Sequence, residues 1–273
     1  NEQVDAFNTK ENLTSKAYAD DRNLAARQAI YAFRRPPLDL LDWACDQYPW
    51  DGTERVLDAG CGNGAYERRL ADRVGTIVAL DLSLGMLASL GASVDRVTPL
   101  VNGDVQALPI ADNSIDVGLA MHMLYHVPDQ PRAVAELRRV IRPGGTLVAL
   151  TNGRGDKDEM DELLREAAST VAAHEMPARP RADSTFVLED GAVILGTAFD
   201  EVEMRAVDGE IVVTEPGPVV DFLRSIAAWA DLYLPPDVRW EAVMHVVESL
   251  LHDRIETEGE FRITTRAGVL LAR

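Results

Sequence analysis

The run Ala120-Met121-His122-Met123-Leu124-Tyr125-His126-Val127-Pro128-Asp129 holds two histidines four residues apart with a tyrosine between them. Histidine changes charge near neutrality. His122, His126 and Tyr125 are therefore the candidate general bases, able to take a proton from a hydroxyl or an activated carbon. If the loop is helical, the two histidines share a face. The other reading is that all three only shape a pocket. Upstream stands a second set, the loop Gly60-Cys61-Gly62-Asn63-Gly64 with Asp58 two residues before it, then Asp81 and Asp104. Glycines let the backbone turn sharply and approach a ligand closely. Carboxylates accept hydrogen bonds from ammonium groups, ribose hydroxyls or amines.

Three short apolar runs must position these acids. Val56 and Leu57 lead into Asp58, Thr76 to Leu80 into Asp81, and Val97 to Val101 precede Asp104. Each reads as a buried strand, and Ala65 to Leu70 restarts at helical spacing, so the glycine loop feeds a helix N-terminus that favours anions. Strands alternating with helices imply a parallel sheet covered on both faces, with the acids along its carboxyl edge, the usual ligand crevice. The glycine spacing, Gly60-x-Gly62-x-Gly64, differs from the Gly-x-Gly-x-x-Gly of dinucleotide sites. A nicotinamide dehydrogenase would account for the loop and Asp81 but not for Asp58 and Asp104.

These motifs, continued by Asp81-Leu82-Ser83-Leu84-Gly85-Met86-Leu87, Gly103-Asp104-Val105, Ile115 to Leu119 and Ile141-Arg142-Pro143-Gly144-Gly145, resemble the class I S-adenosylmethionine-dependent methyltransferases. The branch is the one that includes quinone C-methyltransferases and small-molecule methyltransferases. The resemblance covers roughly Arg55 to Thr151. It implies an α/β fold, a doubly wound, Rossmann-like sheet of seven mostly parallel strands, the last inserted antiparallel between the fifth and sixth. It implies S-adenosylmethionine as the methyl donor and a small-molecule acceptor whose O, N or C is methylated. By the same resemblance Asp58, Gly60, Cys61, Gly62 and Gly64 serve the methionine end, and Asp81 the ribose. Leu82 and Met86 wall the adenine, Gly103, Asp104 and Val105 receive its amino group, and Ala120 and Met121 lie where donor and acceptor meet. For Met86 the alternative is core packing, and for Cys61 simply a small residue in a tight loop. The Asn/Asp-Pro-Pro-aromatic motif of adenine N-methyltransferases is absent.

The N-terminal helices, Thr14 to Phe33 and Leu38 to Tyr48, often cover the site in this family, which makes Tyr18 and Arg22 candidate substrate contacts; the alternative is that Tyr18 packs and Arg22 is solvated. Late in the chain, Phe222, Trp229, Tyr233 and Trp240 offer an aromatic supply, with Trp229 and Tyr233 the further substrate candidates against packing or a homodimer interface. The expected organisation is a helical cap over residues 1–50, a donor-binding core over 51–152, and residues 153–273 completing the sheet and a helical lid. Within that last part, Val202 to Val207 and Glu210 to Thr214 around Asp208-Gly209 read as a hairpin, and Phe261 to Ala272 as a last strand or strand pair.

Composition bounds the rest. The 273 residues carry a formal net charge of −18, which disfavours a nucleic-acid substrate because phosphate contacts need a basic surface. An RNA methyltransferase is thus a minor alternative, as is a cofactor-binding protein of this fold without methyl transfer. Two cysteines, Cys45 and Cys61, supply neither a disulfide framework nor a zinc spacing, and no metal is expected. No apolar run reaches bilayer length, and a cytoplasmic location without membrane contact is expected. Arginine outnumbers lysine 24 to 3, a bias of GC-rich bacterial genomes that makes secondary metabolism a plausible setting.

Overall fold

The computed structural model of the chain describes residue 9, residues 22–93 and residues 98–273. Tyr18 lies outside the described residues. Elements follow in chain order: α1 (Arg22–Ala29), β1 (Arg34–Arg35), α2 (Leu40–Cys45), β2 (Arg55–Ala59), α3 (Ala65–Leu70), β3 (Thr76–Asp81), α4 (Leu84–Ser93), β4 (Leu100–Asn102) and β5 (Ile115–Met121). Then come α5 (Gln130–Val140), β6 (Ile141–Asn152), α6 (Asp158–Ala172), α7 (Leu188–Leu195), β7 (Val202–Val213), α8 (Gly217–Arg224), α9 (Trp240–Glu258) and β8 (Phe261–Ala272).

One sheet runs β1-β7-β8-β6-β5-β2-β3-β4. Pairing is parallel from β4 through β3, β2 and β5 to β6, and antiparallel where β8 enters between β6 and β7. That is the expected seven-stranded topology, β2 to β8, extended by the two-residue edge strand β1. The parallel strands are continuous apolar runs because helices cover both faces: Val56, Leu57 and Ala59 of β2 and Val117, Leu119 and Ala120 of β5 are at most 1% exposed. A separate apolar cluster joins α6, α8 and α9 to β7 and β8 through Leu163, Ala167, Leu223, Val247 and Ile263. Among the described residues, no helix is long and apolar enough to cross a membrane.

One sequence expectation is corrected, and one left open is decided. Val202 to Val213 is one strand, not a hairpin: β7 pairs β8 without interruption from Val202 opposite Ala272 to Val213 opposite Phe261. Gly209 sits mid-strand because the Arg34 guanidinium lies against it; a Cβ there would come within 2.5 Å of Nη2. Arg34 donates from Nη2 to the Asp208 carbonyl at 2.7 Å. The glycine thus admits a close approach instead of making a turn. Gly268 plays the same part inside β8, where a Cβ would meet Leu188 at 2.5 Å, so Phe261 to Ala272 is likewise a single strand.

The helices are shorter than their patterns. Within the described residues the first is α1, which tightens into a 3₁₀ turn over Ile30–Phe33 before β1. The second starts at Leu40 because Asp39 caps it, accepting from Leu41 N at 2.9 Å and Asp42 N at 3.0 Å.

Candidate functional site

Parallel register brings the ends of β2, β3, β4 and β5 to one edge of the sheet. Beyond Ala59 the backbone folds back on its neighbour, Gly60 N and Cys61 N both donating to the Leu80 carbonyl at 2.7 and 3.0 Å. Gly60, Gly62 and Gly64 all have positive φ, at 80, 55 and 77°. A Cβ on Gly60 would lie 2.9 Å from Met123 Cβ, and one on Gly64 2.0 Å from Leu90 Cδ1. No other residue fits this turn unstrained.

Asp81 ties the loop down. Its Oδ2 accepts from Gly62 N at 2.9 Å and its Oδ1 from Ser83 N at 2.8 Å. Burial raises its pKa against those bonds. Each carboxylate oxygen keeps a further lone pair for a ligand. Asp104 caps the turn Val105–Ala107, Oδ1 accepting from Gln106 N at 2.9 Å.

These loops open on a cavity of about 820 Å³, in the upper part of the roughly 300–1,000 Å³ range of small-molecule sites. Gly60, Cys61, Gly62, Asp81, Leu82 and Met86 line one end, together with Gly103, Asp104, Val105 and Met121. His122, Tyr125 and His126 face the middle, and Trp229 the far end. Met86 is also a core residue, 1% exposed.

Asp58, Gly64, Ala120 and Tyr233 do not line the cavity. Asp58 lies under the glycine loop, fully buried near Glu67, and among the described residues no hydrogen-bond partner is found for the oxygens of either carboxyl. Burial, with Glu67 beside it, pushes Asp58 well above the usual carboxylate range, and burial lifts Glu67 to about 7. The pair therefore keeps at least one proton at neutral pH. Arg22 opens α1, and its side chain is not described.

The histidines are not on an α-helical face. His122 has φ 54°, and Leu124–His126 is a 3₁₀ turn. Tyr125 stands between the rings, its centroid 4.6 Å from His126 and 6.4 Å from His122. Burial, reinforced by Lys157, lowers His122 to about 4; burial and Arg27 lower His126 to about 3. Both imidazoles are neutral and weakly basic, far from the match to working pH that favours a general base.

The wall opposite the strand tips was not foreseen. Lys157, 7% exposed, pairs with Asp156, and its ammonium lies over the Tyr31 ring, 5.3 Å from the centroid. Against burial, the Arg181 fork holds Asp183 ionised, Nε and Nη2 donating to its two oxygens at 2.9 and 2.6 Å. Arg181 Nη1 also donates to Asp161 at 2.8 Å, and Arg179 Nε to the same carboxylate at 2.6 Å. Arg27 stacks on Trp229, 5.5 Å from the ring centroid. Gln106, which holds Asp104, was also missed. The signals available were faint: a lysine in a chain that has three, and the alternating run Arg179-Pro180-Arg181-Ala182-Asp183.

A family model described as a methyltransferase domain matches residues 57–149. An uncharacterised methyltransferase of Mycobacterium tuberculosis is 33% identical over 165 residues, 59% of this chain and 64% of that protein. A malonyl-[acyl-carrier protein] O-methyltransferase of Serratia marcescens is 34% identical over 41% of this chain and 44% of its own length. For a demethylmenaquinone methyltransferase of Renibacterium salmoninarum the figures are 42%, 35% and 40%. The chain thus spans less than two thirds of each of these relatives.

Among solved structures, a protein from an antibiotic biosynthesis pathway of Anabaena variabilis shares the fold at 17% identity and a TM-score of 0.60, over 86% of this chain and 96% of that one. A [4+2]-cyclase does so at 22% identity and a TM-score of 0.50, over 86% and 80%. The matched segment is the one that builds β2 to β6 and their tip loops, and that segment is similar to a methyltransferase domain.

Proposed function

We propose that this chain is an S-adenosylmethionine-dependent methyltransferase acting on an oxygen, nitrogen or carbon of a small metabolite. The observation that carries the reading is the convergence of the glycine loop, Asp81 and Asp104 on one cavity. The cradle fits the donor: the positive-φ glycines leave no Cβ in the way, and Asp81 and Asp104 keep acceptor capacity for hydroxyl and amino donors. Gly60 to Gly62 would hold the methionine end, Asp81 the ribose, and Leu82, Met86 and Val105 the base. Asp58, with Glu67, would act from beneath the loop, without touching the donor.

Bound there, the donor supplies an electrophilic methyl on a cationic sulfur. The work left to the protein is to align the acceptor and exclude water. The apolar residues Met160, Ile226 and Trp229, with Tyr125, support that role at the acceptor end. Two relatives are named as methylating a quinone precursor and a carrier-bound acid, which supports small acceptors; the net charge of −18 weighs against RNA.

The specific rival is a chain that binds the donor without transferring its methyl, since the same fold serves a [4+2]-cyclase. Calorimetry with S-adenosylhomocysteine and NAD tests the donor: micromolar affinity for the first and none for the second is expected, and the reverse would sink the assignment. Turnover of radiolabelled methyl from S-adenosylmethionine into a metabolite pool then separates transferase from binder.

A further inference from the structure

Lys157 is the one lysine among the described residues, and it is placed at unusual cost. It lines the cavity at 7% exposure, and its backbone is left-handed, φ 59°. A non-glycine residue keeps that conformation only where its surroundings enforce it, and such positions cluster at ligand sites. Here the enforcers are visible: Lys157 N donates to the Thr264 carbonyl at 2.8 Å, and Asp156 beside it accepts from Arg266 N at 2.8 Å.

An ammonium has three protons. Asp156 takes one, and the ammonium lies over the Tyr31 ring, 5.3 Å from its centroid, which leaves N–H groups for the cavity. Tyr31 also lines the cavity, and its phenolic O–H is a donor. Two donors are therefore presented side by side. The neighbouring cations Arg179 and Arg181 are already taken by Asp161 and Asp183. Apart from Arg27, which stacks on Trp229, the rest of this end includes the apolar and aromatic residues Met160, Phe222, Ile226 and Trp229.

We propose that Lys157 and Tyr31 form an oxyanion-binding subsite and that the acceptor is a small apolar or aromatic acid, a carboxylate or an acidic phenol, held by its ionised oxygen. This rests on the methyltransferase reading above. Donors matched to an ionised oxygen make the stronger class of hydrogen bond. The choice also suits the histidines, which are too weakly basic to strip a neutral hydroxyl efficiently. For an oxyanion no proton has to leave: the O–C bond forms as the C–S bond of the donor breaks, its electron pair stays on sulfur, and the two charges cancel.

The test uses the full chain saturated with S-adenosylhomocysteine at pH 7.5. Calorimetry compares benzoate and 3-phenylpropanoate with benzamide and 3-phenylpropanamide. The carboxylates are expected to bind at least tenfold more tightly than their amides. Tyr31→Phe should cut that preference about fivefold, and Asp156→Asn combined with Lys157→Met, which removes both charges of the pair together, should abolish it. Affinity for S-adenosylhomocysteine should be unchanged in both variants, and their melting temperatures near that of the parent. Equal binding of acids and amides, no binding of either acid, or a preference that survives both variants would overturn the subsite. Failure of S-adenosylhomocysteine itself to bind would instead remove the donor assignment on which it rests.

Discussion

The two ends of the cavity are held by different means. At the strand tips, neighbours close in sequence or on adjacent parallel strands do the work: Asp81 reaches Gly62 across 19 residues and Ser83 across 2. The opposite wall is assembled from distant segments, with Arg266 N on Asp156 spanning 110 residues and Tyr31 meeting Lys157 from the other side of the chain. One end depends on backbone that only glycine can adopt, the other on charges that stabilise one another away from water. Damage to the first should appear in donor affinity, and damage to the second in folding.

Arg181→Met is the sharpest way to break that contrast. It strands Asp183 and leaves Asp161 with Arg179 alone, in a network whose members are 15 to 19% exposed. Removing one partner of a buried ion pair costs about 3–5 kcal/mol. Urea unfolding should register that loss while affinity for S-adenosylhomocysteine stays within about twofold. A large fall in that affinity would mean that the two ends are not separable.

A nearly comparable effect is expected beneath the glycine loop, and it depends on pH. Glu67 holds its proton up to about pH 7 in the folded protein, against an ordinary carboxyl value of 4.5. Below 4.5 both states are protonated and the contribution is fully present. As pH rises through 7 the unfolded chain ionises first and the folded state is penalised, by up to ~3 kcal/mol for a shift of this size. Glu67→Gln should therefore flatten the decline in stability between pH 5 and 8. If denaturation midpoints of parent and variant fall in parallel, Glu67 does not hold the proton.

Asp81→Ala should act mainly on the donor. Its carboxylate serves both the loop and the expected ribose hydroxyls, so a loss of about 1–3 kcal/mol in S-adenosylhomocysteine affinity is expected. Calorimetry at constant pH checks this, and unchanged affinity would withdraw Asp81 from the donor site.

The contrast also explains what could be read from the sequence. Strand tips announce themselves locally, because a buried strand, a glycine turn and a following helix leave their pattern in ten residues; alternation of β and α gave a parallel sheet, and its strand order came from the family resemblance. The far wall leaves no such pattern. Glu67 and the run Arg179 to Asp183 look like any other charged residues until tertiary contacts bury them. Asp208-Gly209 was misread because a glycine that makes room for Arg34 and a glycine that makes a turn look alike in sequence. His122 and His126 were paired on an assumed α-helix that the 3₁₀ turn replaces.

The smallest effect is expected where the sequence pointed first. A general base in the reacting position is worth about 10²- to 10⁴-fold in rate, and its ionisation would appear in the pH profile. His122 and His126 titrate at about 4 and 3, because burial and the nearby cations Lys157 and Arg27 disfavour imidazolium. Across pH 6 to 8 neither ring changes charge, so neither should impose an inflection on kcat/KM for methyl transfer. His126→Asn and His122→Asn keep a polar side chain of similar reach, and each should lower kcat less than about tenfold, with any larger change in KM reporting a misplaced acceptor. A loss of 10²-fold or more in kcat, together with disappearance of a rate-controlling ionisation in that range, would return the histidine concerned to proton transfer. It would also show that the acceptor arrives protonated, against the choice of an acid that Lys157 and Tyr31 favour.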